Sequence, residues 1–242
     1  MGAEESLCRP CRIAPPDFAK AVAHGVYAGR LRTLLHLLKY DRIEGLAQRL
    51  GALLADQVLA IGDMPGDLVL VPVPLYRKKR RSRGFNQAEL LARSAMAAIR
   101  RRRPQMRMQI AGALLRRQRA TESQAGLSPH ERRVNVRGAF FVPRPEAVRG
   151  RHVLLIDDIY TTGATARACA KELRKAGAAV IWVATVARAQ KEMRILDAPE
   201  PHSGTDRETS DLPMEDDFVF WEAQPLVASR RAPTTGHRHG VR

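Results

Sequence analysis

Apolar and polar residues alternate along the chain in patterns that predict helices and strands in turn. Residues 31–40 place apolar side chains at positions 31, 34, 35 and 38, the spacing of one helical face, and a second helix is predicted over 45–60. The apolar runs 68–73 and 152–156 have the length of buried strands. Strands that alternate with helices are typical of an α/β protein with a parallel sheet.

The second half of the chain contains the clearest unit of this kind. The apolar run is followed by two carboxylates at 157–158, a turn rich in threonine, and a helix predicted over about 164–176 that ends at Gly177. A second apolar strand is predicted over 179–186. Strand, loop, helix and strand form a βαβ unit, so we predict a parallel sheet flanked by helices.

Two further segments are predicted to carry loops. The run RKKRRSRGF at 77–85 is expected as a basic loop, after which Asn86 and Glu89 predict a capping box that opens a helix to about Arg102. Residues 118–138 combine Gly, Ser, Pro and Asn without an apolar period, which indicates a long loop that acts as a lid.

Charge separates the body of the chain from its C-terminal tail. The 242 residues carry 41 Lys and Arg against 25 Asp and Glu, a net charge of +16. Residues 191–242 contain seven basic and ten acidic residues and are polar, so we expect a disordered tail, and the other residues carry +19. The apolar FVFW at 218–221 is either an edge strand or a partner-docking peptide. A strongly basic body favours phosphate-bearing ligands or nucleic acid.

Several classes of protein are excluded by what the sequence lacks. No stretch approaches the roughly 18 consecutive apolar residues of a membrane helix, and the first residues have no apolar signal region. Three cysteines do not make a disulfide framework, and Cys169 is expected in the core. We expect a cytoplasmic protein without membrane insertion. The phosphate loop GxxxxGK[ST] does not occur, which argues against a P-loop hydrolase.

The segment VLLIDDIYTTGAT at 153–165 carries the strongest chemical signal. Asp157 and Asp158 would lie at the carboxyl end of a parallel strand, where open α/β sheets bind ligands. Carboxylates there can accept from sugar hydroxyls or hold a metal through its waters. The turn that follows offers hydroxyls and helix-start N–H groups, which suit an anion. These features predict a sugar-phosphate site; the alternative is a buried strand that merely ends in acids.

These residues resemble those of a known family. VLLIDDIYTTGAT resembles the phosphoribosyl pyrophosphate (PRPP) binding motif of type I phosphoribosyltransferases. VPVPLYRKKRRSRGFNQAELLA at 71–92 and RRQRATESQAGLSPHERRVNVRGAF at 116–140 narrow the resemblance to the ComF-like branch, which is associated with competence for DNA uptake. The resemblance covers about 8–190. It implies a type I phosphoribosyltransferase-like parallel sheet with a lid or hood segment.

The resemblance also implies three parts of the chain and a set of site residues. The parts are an N-terminal segment 1–30 with a remnant CxxC knuckle, a phosphoribosyltransferase-like domain 31–190 and the tail 191–242. The acids Asp157 and Asp158 would engage the ribose hydroxyls of PRPP. The 5′-phosphate loop would comprise Thr161, Thr162, Gly163, Ala164 and Thr165, and the pyrophosphate loop Leu75, Tyr76, Arg77 and Lys78. Further substrate or lid contacts would come from Lys39, Arg83, Thr121, Gln124 and Arg132.

The implied activity is transfer of a phosphoribosyl group from PRPP to an unidentified acceptor, with Mg²⁺ and release of pyrophosphate. This is a pentosyl glycosyltransferase reaction of nucleoside metabolism. The rival hypothesis is a non-catalytic protein of natural transformation that senses PRPP or handles single-stranded DNA through its basic loop. The two stay open because a PRPP motif does not specify an acceptor. Competence-machinery proteins are expected partners.

Zinc is the second metal that the sequence suggests as a ligand. Cys8 and Cys11 have the CxxC spacing of a zinc knuckle, but a structural zinc site needs four ligands. Proteins of the ComF-like branch often carry a four-cysteine knuckle at the N-terminus. Only one pair is present here, so the sequence predicts an incomplete zinc site.

Overall fold

A computed structural model describes residues 9–62, 64–120, 128–189 and 226–227, which form one main sheet with helices on both faces. The helices are α1 Arg9–Ile13, α2 Gly29–Tyr40, α3 Leu46–Leu59, α4 Arg77–Arg83, α5 Gln87–Arg102, α6 Pro129–Val136 and α7 Ala164–Lys175. The strands are β1 Lys20–Val26, β2 Asp67–Pro72, β3 Arg107–Ile110, β4 Arg116–Arg117, β5 Phe140–Phe141, β6 His152–Tyr160, β7 Val180–Arg188 and β8 Leu226–Val227.

The main sheet has the strand order β3-β2-β6-β7-β1-β8 and is parallel except at β8. Strand β6 lies between β2 and β7, with Leu154 opposite both Leu70 and Trp182. The continuous apolar runs predicted as strands are buried here on both faces, as parallel sheets require. The predicted α/β fold is confirmed.

Two apolar cores lie on opposite faces of this sheet. Helix α7 packs on one face, and α2, α3 and α5 pack on the other. Helices α3 and α5 approach closely at Gly51, where an added Cβ would lie 2.3 Å from the Cβ of Ser94. The absence of a side chain at Gly51 therefore allows this close contact.

The basic segment predicted as a loop is instead helix α4, so that prediction was wrong. Arg and Lys are good helix formers, and Gly84 ends the helix in the left-handed conformation, with φ of 88°. Asn86 caps α5 as predicted, because its side chain accepts from the N–H of Ala88. The Glu89 side chain does not complete a capping box and instead pairs with arginines.

The predicted lid is also partly helical. Helix α6 begins with a capping box in which Ser128 and Glu131 exchange hydrogen bonds. Arg132 lies on this helix and is half-buried. Thr121 and Gln124 lie outside the described residues, so the structure does not test their predicted contacts. The short antiparallel ribbon β4–β5 flanks this segment.

Two strands outside the predicted domain 31–190 also belong to the sheet. Strand β1, which belongs to the segment 1–30, pairs along its length with β7, so the sheet begins before residue 31. Strand β8 pairs with the other side of β1. The rest of the predicted tail, including 218–221, lies outside the described residues. Within the described ranges, every helix is too short or too polar to cross a membrane.

Candidate functional site

The two acids predicted from the sequence lie in β6, which continues through them to Tyr160. Asp157 is half-buried and Asp158 is buried, and the N–H of Asp158 donates to Oδ1 of Asp157 at 2.9 Å. Helix α2 brings Lys39 to this point, where its Nζ forms an ion pair with Oδ2 of Asp158. The sequence placed Lys39 at the site as a ligand contact; the structure shows its ion pair with Asp158.

The acid pair is electrostatically asymmetric. Burial and the charge of Asp158 raise the pKa of Asp157 well above its ordinary value. Burial acts in the same direction on Asp158, but the ammonium of Lys39 and the hydrogen bonds to the carboxylate together outweigh it and lower the pKa of Asp158. Burial would lower the pKa of Lys39, yet the Asp158 carboxylate raises it. The site therefore holds one carboxylate firmly ionised beside another that takes up a proton more readily.

The predicted phosphate loop follows directly from β6 and leads into α7. Gly163 stands at the N-cap of α7 with φ of 75°, in the left-handed region that favours glycine. Oγ1 of Thr162 is buried and has no hydrogen-bond partner among the described residues. Buried hydroxyls in folded proteins are nearly always hydrogen-bonded, so this orphaned atom marks a place for a ligand acceptor or donor.

The side chain of Tyr160 closes one side of this loop. A Cβ added at Gly163 would lie 2.2 Å from the Tyr160 hydroxyl, so the ring rests directly on the glycine backbone. Ala164 is buried and Thr165 is half-buried at the start of the helix. The loop thus offers helix-start N–H groups and hydroxyls beside the acids, an arrangement that suits a phosphate.

Helix α4 contributes two cations to the site, Arg83, which the sequence interpretation named, and Lys79, which it did not. Arg83 is buried, donates to Oε1 of Gln87 at 2.6 Å and lies 5.4 Å from the centre of the Tyr40 ring. Partial loss of hydration, with the charges of Arg83, Lys39 and Arg117, lowers the pKa of Lys79, although its side chain is exposed. Lys79 is therefore close to the cations that surround the acids.

The missed residue Lys79 had a signal that depends on the helix. Lys79 and Arg83 are four residues apart and share a face of α4, a relation that a loop prediction conceals. Lys78, which was predicted to bind pyrophosphate, is exposed. Burial lowers the pKa of Arg117, which lies on β4 within the electrostatic reach of Asp157. No local sequence pattern indicates Arg117.

A cleft of about 810 Å³ opens next to these residues. Leu75, Tyr76 and Arg77, three members of the predicted pyrophosphate loop, line it. Pro72 lines the same cleft and lies opposite Ile156, the residue before Asp157, so the cleft lies beside the part of β6 that carries the acids. The predicted site residues of β6, α2 and the loop after β2 are thus brought into one region.

Only one member of the N-terminal cysteine pair lies within the described residues. Cys8 lies outside the described residues, whereas Cys11 is buried and its Sγ accepts from Arg167 of α7 at 3.2 Å. Arg167 also donates to the carbonyl of Ala14 at 2.6 Å, which ties the N-terminal segment to α7. No group of three metal-binding side chains occurs within the described ranges, and zinc binding stays a prediction. Cys169 is a core residue, as predicted.

Comparison with known proteins gives the class of this fold and site. The family model for the phosphoribosyl transferase domain matches residues 81–210. DNA utilization protein YhgH of Escherichia coli O157:H7 is 34% identical over 179 residues, which cover 73% of this chain and 75% of that protein. Competence protein F of Haemophilus influenzae is 31% identical over 189 residues, 75% of this chain and 78% of that protein.

This chain therefore belongs to the phosphoribosyltransferase family. Competence protein ComFC of Bacillus subtilis is also similar, with 33% identity over 111 residues, 46% of this chain and 40% of that protein. Within the family the chain is a ComF-like type I member, as the resemblance predicted.

Proposed function

We propose that this protein binds PRPP together with Mg²⁺ and transfers the phosphoribosyl group to an acceptor with release of pyrophosphate. The observation that carries the proposal is the buried, unpartnered hydroxyl of Thr162 in a helix-start loop directly beside Asp157 and Asp158. A phosphate in the loop would complete the hydrogen bonding of Thr162. The ribose hydroxyls of the same molecule would then reach the acids.

The reaction divides naturally among these residues. The bond between C1′ and the pyrophosphate oxygen breaks, its electron pair leaves with pyrophosphate, and the acceptor forms a new bond to C1′ and loses its proton. Positive charge develops on the ribose, which the ionised Asp158 stabilises. Negative charge develops on the leaving oxygens, which Arg77 of the predicted pyrophosphate loop and Arg117 would stabilise. No covalent nucleophile is required.

The donor set of the site fits magnesium. Mg²⁺ prefers oxygen ligands and is commonly held by one or two carboxylates together with substrate phosphates and water. Asp157 and Asp158 supply such oxygens, and the described residues offer no third acid that would form a closed metal site with them. When bound, the ion would neutralise charge on the leaving pyrophosphate.

The test is a calorimetric titration of PRPP into the protein with and without Mg²⁺, with ribose 5-phosphate as the control ligand. Replacement of Asp157→Asn and Asp158→Asn together should weaken PRPP binding about 100-fold or more, because two charged hydrogen-bond acceptors for the ribose are lost. Asp67→Asn, an exposed acid at the start of β2, is the matched control and should bind normally. Unchanged affinity in the folded double variant would contradict the site.

The second candidate is a non-catalytic protein that senses PRPP or handles single-stranded DNA. The observation that favours it is the exposed side of α4, where Arg77, Lys78, Arg80 and Arg81 all face solvent. Clustered exposed cations are typical of phosphate-backbone binding, and the names of the relatives refer to DNA utilization and competence.

The salt dependence of DNA binding tests this candidate. Neutralising these four side chains should flatten the dependence of single-stranded DNA affinity on salt concentration, since each phosphate contact adds roughly 0.7 to the slope. An unchanged slope would show that α4 is not the contact.

A further inference from the structure

The cleft of about 810 Å³ is lined by residues that the acid pair and the phosphate loop do not include. It lies among the loop after β2, helix α4 and the ribbon β4–β5. Its volume falls within the range of roughly 300–1,000 Å³ that is typical of small-molecule sites. The cleft therefore has room for a ligand beyond the pyrophosphate that Arg77 and its neighbours would contact.

The lining of this cleft is strongly basic. Four arginines contribute to it, namely Arg77, Arg80, Arg116 and Arg117. Glu89 is the only acid among the described lining residues, and it is already neutralised. Its Oε1 accepts from Arg93 at 2.8 Å and its Oε2 lies 3.8 Å from Arg80. The cleft thus presents a net positive charge to whatever enters it.

The amide side chains of the cleft are engaged with the protein backbone. Asn86 donates to the carbonyl of Val73 at 3.1 Å, and its Oδ1 accepts from the N–H of Ala88 at 3.1 Å. Gln118 donates to the carbonyl of Gly138 at 3.0 Å. Amides held in this way are poorly placed to read the hydrogen-bonding edge of a neutral base. The exposed guanidinium groups of Arg77 and Arg116 are better placed to meet a ligand.

Apolar groups complete the walls. Pro72, Pro74 and Leu115 line the cleft together with the half-buried rings of Tyr76 and Phe141. Rings and prolines of this kind cover a flat apolar body, while guanidinium groups bind carboxylate or phosphate in bidentate fashion. The combination matches a ring that carries an anionic group.

We propose that this cleft binds an anionic, ring-bearing molecule, with a carboxylate or phosphate held by its arginines and the ring held between apolar walls. The inference that this molecule is the acceptor rests on the proposed phosphoribosyl transfer. The inference that the cleft binds an anion depends only on the residues that line it. The acceptor is then selected by charge, and a neutral base without an anionic group is a poor ligand.

Two matched pairs of probes test this selectivity by calorimetry. Orotate differs from uracil by a carboxylate, and thymidine 5′-monophosphate differs from thymidine by a phosphate. Titrations are made with pyrophosphate and Mg²⁺ present at saturation, so that pyrophosphate contacts are already filled. We expect the charged member of at least one pair to bind about tenfold or more tightly than its neutral partner.

Variants of the lining arginines test whether the charged probes bind in the cleft. Arg80→Gln and Arg116→Gln change exposed lining residues outside the predicted pyrophosphate loop and should each weaken the charged probe about tenfold. Arg101→Gln removes the same charge from an exposed position near the end of α5 and should have no effect. Equal affinity for charged and neutral probes, or equal effects of all three variants, would overturn the proposal. Loss of probe binding whenever pyrophosphate is present would overturn it as well.

The outcome separates this inference from the proposed function. In the double variant Asp157→Asn with Asp158→Asn, charged probes should still bind while PRPP does not. Selective anion binding without PRPP binding in the native protein would refute the proposed function and support the anion site in the cleft. PRPP binding without anion selectivity would refute the anion site in the cleft and support the proposed function.

Discussion

The ion pair between Lys39 and Asp158 should stabilise the fold as well as shape the site. The side chains are only 15% and 8% exposed, so Lys39→Met would leave a carboxylate buried without its partner. Breaking a buried pair in this way typically costs about 3–5 kcal/mol. We expect a loss of unfolding free energy of that size near pH 8, measured by urea denaturation with circular dichroism in the presence of a metal chelator.

The pH dependence of this loss follows from the direction of the pKa shifts. The pKa of Asp158 is lowered in the folded state, so its contribution is present above its unfolded value of about 4 and disappears as pH falls through the folded value. The pKa of Lys39 is raised, so its contribution is present below about 10.4 and disappears as pH rises through the folded value. In Lys39→Met the ammonium no longer opposes burial, so the pKa of Asp158 should rise and its carboxyl should take up a proton as pH falls. The loss should therefore be large at pH 8 and shrink toward pH 4.

A surface pair on α7 provides the control for this experiment. Lys175 lies 2.9 Å from Glu172, but its side chain is 60% exposed. Lys175→Met should change stability by less than about 1 kcal/mol and show little pH dependence, because exposed pairs contribute little. Equal losses for the two variants, or a loss in Lys39→Met that is the same at pH 5 and pH 8, would refute the reasoning.

Two glycine substitutions test close contacts by thermal denaturation. Gly163→Ala should cost about 1–3 kcal/mol and weaken ribose 5-phosphate binding, because φ is 75° and the new Cβ would meet the Tyr160 hydroxyl at 2.2 Å. Gly51→Ala should cost about 1–3 kcal/mol without a specific effect on ligand affinity, since its Cβ would lie 2.3 Å from that of Ser94. Gly66→Ala enters open space and is the control; a melting temperature like that of Gly66→Ala would contradict either prediction.

The conformation of α4 decides how its basic residues are used. As a helix, the segment directs Arg83 into a buried position under Tyr40 and leaves Arg80 and Arg81 in solvent. The loop between α2 and α3 helps to hold α4 in place, because Arg42 in that loop donates to the carbonyl of Ser82 at 2.8 Å. A single run of cations thus supplies one set for the site and another for the surface.

Local patterns in the sequence were sufficient for the βαβ unit and the acid pair. The apolar run of β6, Gly177 after α7 and the cap at Asn86 each depend on residues that are neighbours along the chain. These patterns predict structure correctly because the backbone conformation of a helix cap and the burial of a strand on both faces each depend on a few neighbouring residues. The parallel α/β class of the fold follows from them.

The tertiary structure alone decided which distant side chains meet. The pairing of Lys39 with Asp158, the approach of Arg117 to Asp157 and the basic cleft all join segments that are far apart in the sequence. Electrostatic and hydrogen-bonding energies depend on distance in space and on burial, neither of which a local pattern contains. Sequence therefore determined the fold class and the acids, and packing determined the charges and the cleft around them.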